Sequence, residues 1–427
     1  MRRVVVFLTI LGCYHPAPVD ERAVLREASE AISAPAPRKG VVTEEDVVAL
    51  ALSLNPSVIA AKGDVAVARA AVRETRQLDN PGVRVTNEEP LEDRAEQILV
   101  GLRWQPPHPW VYNARTARAE AAVALAEARL AREEARAVRD ARLAYYRAAH
   151  AKARLALAQE RLSLLEEKHR LLQTGVDREF SDPLDLSRAA LALAEERGAL
   201  ARAKGRDQEA IAALARESGL AADVPPLDPT ACRPPPEALP DPLEAPPVRE
   251  ARAAHRRSEA ELRLQHARQV PWLQYLQLGF EHRFRHEASE SNPKPDPARN
   301  TMVFGLSLDL PFLNWNLGGV ARAEAERDRD ASWLRSTIKA TVLAQNSALA
   351  RWRSARDAVV ALSSEAMPAV LLAVEAEQKA MAAGRISEIR AIEAKVAATD
   401  SRRALLDAAL DCLEAMVEAE YILGKTR

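Results

Sequence analysis

The sequence is poor in the residues that fill a bulky globular core or build a catalytic centre. Aromatic side chains make up 4% of its 427 residues, glycine occurs 15 times and cysteine three times. There is no CxxC pair and no Cys/His cluster, so zinc and redox chemistry have no framework. The eight histidines are scattered, and HExxH, a Gly-rich phosphate loop and GxSxG are all missing. His282 and His286 lie four apart on a strand running into a loop, where that spacing does not converge on a metal. Neither sign of charge dominates. With 60 Lys and Arg against 61 Asp and Glu, the chain lacks the basic excess that nucleic acid binding requires. No internal apolar run approaches the ~20 residues of a membrane-spanning helix.

What is present is alanine, 84 residues or a fifth of the chain. Together with Glu, Arg and Leu it points to long helices that pack closely. Hydrophobic content of 48% and charged content of 28% exclude wholesale disorder. Ala114 to Thr174 contains no Gly and no Pro, enough for a helix of about 90 Å. Leu155, Ala158, Leu162, Leu165, His169 and Leu172 recur at steps of three and four, the coiled-coil period. Ile389, Ile392, Val396, Thr399, Arg403, Leu406, Leu410, Leu413 and Val417 do the same after Gly384. Gly175 and Gly384 are therefore expected at the tips of two helical hairpins. His169, on the seam, is expected as a core or groove histidine rather than a ligand.

The start of the chain reads as an export signal over residues 1–12. Met1-Arg2-Arg3 is basic, Val4 to Leu11 is apolar but too short to span, and Gly12-Cys13 follows. Ile10-Leu11-Gly12-Cys13 is similar to the lipobox of bacterial lipoproteins, which implies an acylated, diacylglycerol-bearing Cys13. Tyr14 after it favours the outer membrane. A single lipid anchor holds reversibly, so a second membrane attachment is expected. Residues 13–42, with Pro16, Pro18, Pro35 and Pro37, form a leader. Cys232 and Cys412 remain, and a disulfide between them in an oxidising compartment is left open.

Two halves follow. Helical patterning begins at Thr43, with Asp46 placed as in a capping box, and runs to about Asp79 apart from Asn55-Pro56. Pro225 to Pro247 carries ten prolines in 23 residues and cannot be helix or central strand. It separates residues 43–224 from 248–427, and the same landmarks recur in order on each side. Pro56 and Pro81 match Pro247 and Pro271; strand regions end at Gln105-Pro106 and Leu310-Pro311. Arg-Ala-Glu-Ala then opens a long helix at Arg118 and again at Arg322, and helices end at Gly219 and Gly424. This is the pattern of an internal duplication.

The strand regions, about 82–104 and 272–310, alternate with period two. Ile98, Val100, Leu102 and Trp104 share one face, as do Met302, Phe304, Leu306, Leu308 and Leu310; Val83-Arg84-Val85 and Trp272 to Arg285 supply two more strands. Trp104, Trp110, Trp272 and Trp315 fall at the strand–helix junctions, where membrane interfaces collect aromatics. Four strands cannot close a barrel, and an open edge cannot face lipid. Three chains of four strands would give twelve, wide enough for an aqueous lumen.

In this order and at these spacings, the chain resembles the TolC family of outer membrane efflux proteins over nearly its whole mature length. The carrying features are the paired halves, Asn55-Pro56, Asn80-Pro81 and Leu310-Pro311-Phe312. Gly175 followed by Asp182-Pro183-Leu184-Asp185, and Ala383-Gly384 followed by Glu393-Ala394, complete them. Gln105 with Ala117-Arg118 is most similar to the heavy-metal efflux branch, although Pro106-Pro107-His108-Pro109-Trp110 replaces that branch's usual Glu-Leu-Gly-Gly-Lys-Arg.

The resemblance implies a mainly α fold: coiled-coil hairpins form a periplasmic α-barrel, and four strands per chain contribute to a trimeric twelve-stranded β-barrel. It implies a homotrimeric, lipid-anchored outer membrane channel with no catalysis and no cofactor of its own. Its partners would be a periplasmic adaptor and an inner membrane pump of RND or ABC type. Gly175, Val176, Gly384, Arg385, Ile386 and Ser387 would be the hairpin tips that meet the adaptor. Glu393 would belong to an acidic ring at the periplasmic aperture, paired across subunits with Arg390. The alternative is a periplasmic coiled-coil adaptor or scaffold lipoprotein without a channel. Cargo stays open between metal ions, drugs, dyes and secreted protein.

Overall fold

The computed structural model describes residues 19–26, 41–88, 96–179, 181–219, 223–236, 240–285, 297–310 and 314–424. The export signal, Cys13, His286 and Pro311-Phe312 lie outside the described residues. Helix α1 (Glu44–Leu54) starts at Thr43, whose side chain accepts the Asp46 N–H while the Asp46 carboxylate accepts the Thr43 N–H. This is the reciprocal cap expected from the sequence. Asn55 then ends α1 and caps α2 (Pro56–Thr75), accepting the Ser57 N–H at 2.9 Å, with Pro56 at a position whose missing N–H costs nothing.

Strands β1 (Gly82–Glu88) and β2 (Gln97–Trp104) lead into α3 (Pro109–Asp177), 69 residues and roughly 100 Å long. Helix α4 (Pro183–Ser218) returns alongside it and stops at Gly219, whose φ of 70° is left-handed. The proline-rich linker ends in a single turn, Pro242–Glu244, and α5 (Pro246–Ala267) already begins within the expected linker because proline is well placed in a first helical turn. Strands β3 (Trp272–Arg283) and β4 (Arg299–Asp309) follow, then α6 (Leu317–Ala361), α7 (Met367–Ala382) and α8 (Glu388–Ile422). Between α6 and α7 the helix widens into a π turn, Leu362–Ala366. Pro368 explains it: its ring would strike the carbonyl one α-turn back, and the wider turn clears it.

Helix α3 is the spine, packing against α2, α4, α5 and α8, while α6 and α7 pack on α8. Its buried positions at mid-length are largely alanine, among them Ala141, Ala144, Ala148, Ala149 and Ala153. Small side chains let the neighbouring helices approach closely. The expected seams are real: Ala158, Leu165 and Leu172 on α3, and Ile392, Thr399, Leu406, Leu413 and Val417 on α8, are buried. His169 is half-buried on that seam.

The main core lies halfway along the helices, where Val47, Leu214, Leu227, Trp352, Leu413 and Met416 meet. The extended segment 223–236 straps this core like a belt. Its Leu227 N–H donates to the Ala149 carbonyl at 3.1 Å, and Lys152 reaches Asp223 at 2.6 Å. Trp352 and Arg356 donate to the carbonyls of Arg233 and Cys232 at 3.1 and 2.6 Å. The open question about the cysteines is settled here: Cys232 and Cys412 form a disulfide, Cα atoms 6.0 Å apart, joining belt to α8 across 180 residues of sequence.

Under the belt sits a buried ionic hub. Arg142, 4% exposed, pairs with Glu44 of α1 and Glu420 of α8, and the Tyr146 hydroxyl donates to Glu44 at 2.7 Å. Arg233 of the belt adds a second cation to Glu420 at 3.3 Å. Burial alone would lower the Arg142 pKa, but the hydrogen bond to Glu420 and the charges of Glu420 and Glu44 outweigh it and raise it. Truncating one partner of such a group strands buried charge. Arg142→Ala is expected to cost about 3–5 kcal/mol in denaturant unfolding, while Arg136→Ala at the surface changes little.

Burial, reinforced by Glu44, pushes the Tyr146 hydroxyl above its ordinary value of 10.0. The folded chain therefore keeps a proton that the unfolded chain releases near pH 10, so this contribution to stability is present below that pH and lost as pH rises. Thermal melts of Tyr146→Phe are expected to lose this alkaline component.

Candidate functional site

The four strands form one antiparallel sheet in the order β1-β2-β3-β4, so the two halves of the chain meet at β2 and β3. Val85 pairs with Val100, Val100 with Phe280 and Phe280 with Met302; one step along, Val83, Leu102, Leu278 and Phe304 line up the same way. Since neighbours in register share a face, the apolar sets of all four strands merge into one surface. Nothing covers it: Phe304 is 76% exposed, Leu306 63% and Met302 61%.

The opposite face is built differently. Arg84, Gly101, Gly279 and Val303 line up across it, as do Thr86, Leu99, Glu281 and Thr301. The Arg103 guanidinium lies 3.6 Å over the Tyr275 ring on this side. Among the described residues, β1 and β4 each have a partner strand on one side only. The sheet thus has an apolar face, a polar face and two unsatisfied edges. At 12 and 11 residues, β3 and β4 are long enough to cross a bilayer's hydrocarbon.

Of the four junction tryptophans, Trp110 and Trp272 come together, ring centres 6.1 Å apart, with His108 within 5.5 Å of both. Trp104 and Trp315 do not join them; each is exposed. His108 explains the departure at residues 106–110. It caps α3 by accepting the Val111 N–H on Nδ1, and its Nε2 meets the Val270 carbonyl at 2.9 Å, a tautomer with the proton on Nε2. Trp272 Nε1–H donates to the Pro106 carbonyl at 3.1 Å.

The hairpin tips differ from each other. At the first, Gly175 and Val176 do not themselves form the turn: α3 runs through both to Asp177, Glu179 has φ 61°, and α4 opens at Pro183. Gly175 is needed for close approach, because the Ser181 side chain folds onto the space a Cβ would fill. Asp182 then caps α4 by accepting the Leu184 N–H at 2.8 Å. The second tip falls where the sequence places it. Gly384 has φ 69°, its N–H donates to Met381 and that of Arg385 to Ala380, the reciprocal closure of a left-handed C-terminus. Ser387 starts α8, with Ile386 just before it.

Glu393 meets the Lys168 ammonium of the same chain at 2.6 Å, a partner the sequence reading missed; Arg390 is exposed one turn earlier. Also missed was Glu196, 5% exposed on α4 and held by Arg161 of α3 at 3.0 Å and Arg403 of α8 at 2.6 Å. The signal was available, for Arg403 occupies an apolar position of the heptad seam. Among the described residues no three His, Cys, Asp or Glu side chains form a metal-binding group. Gly384→Ala forces an L-residue into the left-handed region, about 1–2 kcal/mol. Hydrogen exchange is expected to show lost protection over residues 380–392 with the mid-helix core unaffected.

No protein-family model and no curated protein matches the sequence. Solved structures do match. CusC superposes with a TM-score of 0.71 at 18% identity, over 89% of this chain and 92% of that one. The outer membrane channel CmeC of Campylobacter jejuni gives 0.69 at 12% identity, over 90% and 86%. The open state of the Neisseria gonorrhoeae outer membrane channel MtrE gives 0.68 at 18%, over 89% and 88%. Across nearly the full length of both partners, this chain has the fold of these outer membrane channels, the fold that the resemblance to the TolC family implies.

Proposed function

We propose that this chain is the outer membrane channel of a tripartite efflux system, a passive conduit rather than an enzyme. One observation carries the reading: an exposed apolar sheet face whose two edges have no partner. Exposed edges cannot stay unsatisfied in hydrocarbon, so further copies must pair with them. Three copies close twelve strands into a barrel with the apolar faces toward lipid and the polar faces toward water. The duplicated halves then supply the helices of a tube that extends the lumen into the periplasm. A coiled-coil scaffold has no use for such a face.

In this reading Cys13 carries the lipid and the barrel is the second attachment. Gly175 and Val176 and the loop of Gly384, Arg385, Ile386 and Ser387 meet the adaptor, which couples the channel to an inner membrane pump of RND or ABC type. Arg390 and Glu393 lie at the periplasmic aperture. Three Glu393 carboxylates around one axis repel each other, and Lys168 in the same chain, with Arg390 of a neighbour, offsets that repulsion.

The test is the native mass of the detergent-extracted protein, corrected for bound detergent, followed by conductance in planar bilayers. Three chains and open channels are expected. A monomer released from cells without detergent would return the chain to the scaffold reading.

A further inference from the structure

Halfway down the helical layer, a groove of about 610 Å3 lies over α3 between α4 and α8. Its floor is apolar and shallow-sided: Ala151, Ala158, Ala199, Ala203 and Leu410. Its rim is cationic, with Arg147, Arg154, Arg202, Arg206 and His150; with Arg403 at one end, five arginines face two carboxylates, Glu209 and Glu414. Part of this charge is spoken for. Arg147 pairs with Glu414 at 2.8 Å, Asp407 takes His150 at 2.8 Å and Arg154 at 3.6 Å, and Arg403 belongs to Glu196. Arg202 and Arg206, one helical turn apart on α4, are exposed and have no carboxylate partner among the described residues.

The groove faces away from the belt. On α3 the belt bonds to Ala149, while Arg147 and Ala151 stand two residues to either side, a rotation of about 200°. On α8 the belt is tied to Cys412, and Leu410 and Glu414 again lie two residues to either side. In a tube of such chains the belt and α1 must lie outside, since inside they would close the conduit. The groove then opens into the lumen, and every wall of it comes from one chain, so assembly does not cover it.

We propose that this groove is a binding site for organic anions with an apolar body, and that the lumen is adapted to such cargo. The inference rests on the conduit reading above and goes beyond it by naming a substrate class. A sulfonate or carboxylate head meets the two free guanidinium groups, which present paired N–H donors suited to oxyanions. The apolar body lies on the alanine floor, and the volume is that of a drug-sized ligand site. Three copies set three such grooves at one height in the lumen.

Single-channel current in planar bilayers tests it, with naphthalenedisulfonate as the probe and phenyltrimethylammonium as a cation of similar bulk. The expected result is concentration-dependent block by the disulfonate and none by the cation. Arg202→Glu/Arg206→Glu should weaken block by roughly tenfold or more, the loss of one or two charge-assisted hydrogen bonds. Arg216→Glu, on the same helix outside the groove, should not. Ala203→Phe, which fills the floor and leaves every charge in place, should also weaken block. Conducting channels that ignore the anion, or that it blocks equally in all variants, overturn the site and leave the conduit standing. Inserted protein that never conducts overturns the conduit and the site with it.

Discussion

Backbone hydrogen bonding at the two edges of a four-stranded sheet constrains the rest of this molecule. The sheet is satisfied internally at β2 and β3, where the halves of the chain meet, and among the described residues the outer edges of β1 and β4 have no partner strand. An apolar face alone could be buried by a helix folding over it, but the described helices pack on one another and not on the sheet. On the channel reading, the helices form a layer that neighbouring copies would close. On the channel reading proposed above, sheet and helical layer ask for the same neighbours, and one symmetric assembly would answer both.

The helical layer meets a different problem. A helix of 69 residues rich in alanine buries little surface per residue, so hydrophobic contact cannot by itself hold partners in register. Charge does part of that work. Arg142 ties α3 to α1 and α8, Glu196 ties α4 to α3 and α8, and Lys168 ties α3 to α8 near the tip. Each contact joins residues far apart in sequence. Pairs of this kind add specificity more than net stability, because desolvation offsets much of the attraction. They set which turn of one helix faces which turn of the next.

Much of this was legible beforehand, and for identifiable reasons. Thr43 with Asp46, Asn55 before Pro56, and Gly384 encode local geometry that tertiary context does not override. The strands declared themselves through period-two alternation, and their shared face followed from register. What could not be read depended on distance. Gly175 looked like a turn glycine, yet its role is set by Ser181 on the returning chain. Lys168 and Glu393 are 225 residues apart, and nothing near either names the other. Arg403 was visible as an odd charge on a seam, but its buried partner lies on another helix. The cysteines showed no spacing rule because their proximity arises from the belt.

The belt's disulfide has a consequence for biogenesis. Cys412 lies 180 residues after Cys232, so the bond cannot form until that further length of chain has been made and both thiols stand in an oxidising environment. The strap over the mid-helix core can therefore be fastened only once α8 has been made. In a reducing environment the same chain lacks that fastening, and the belt is held to the core by hydrogen bonds, ion pairs and packing alone.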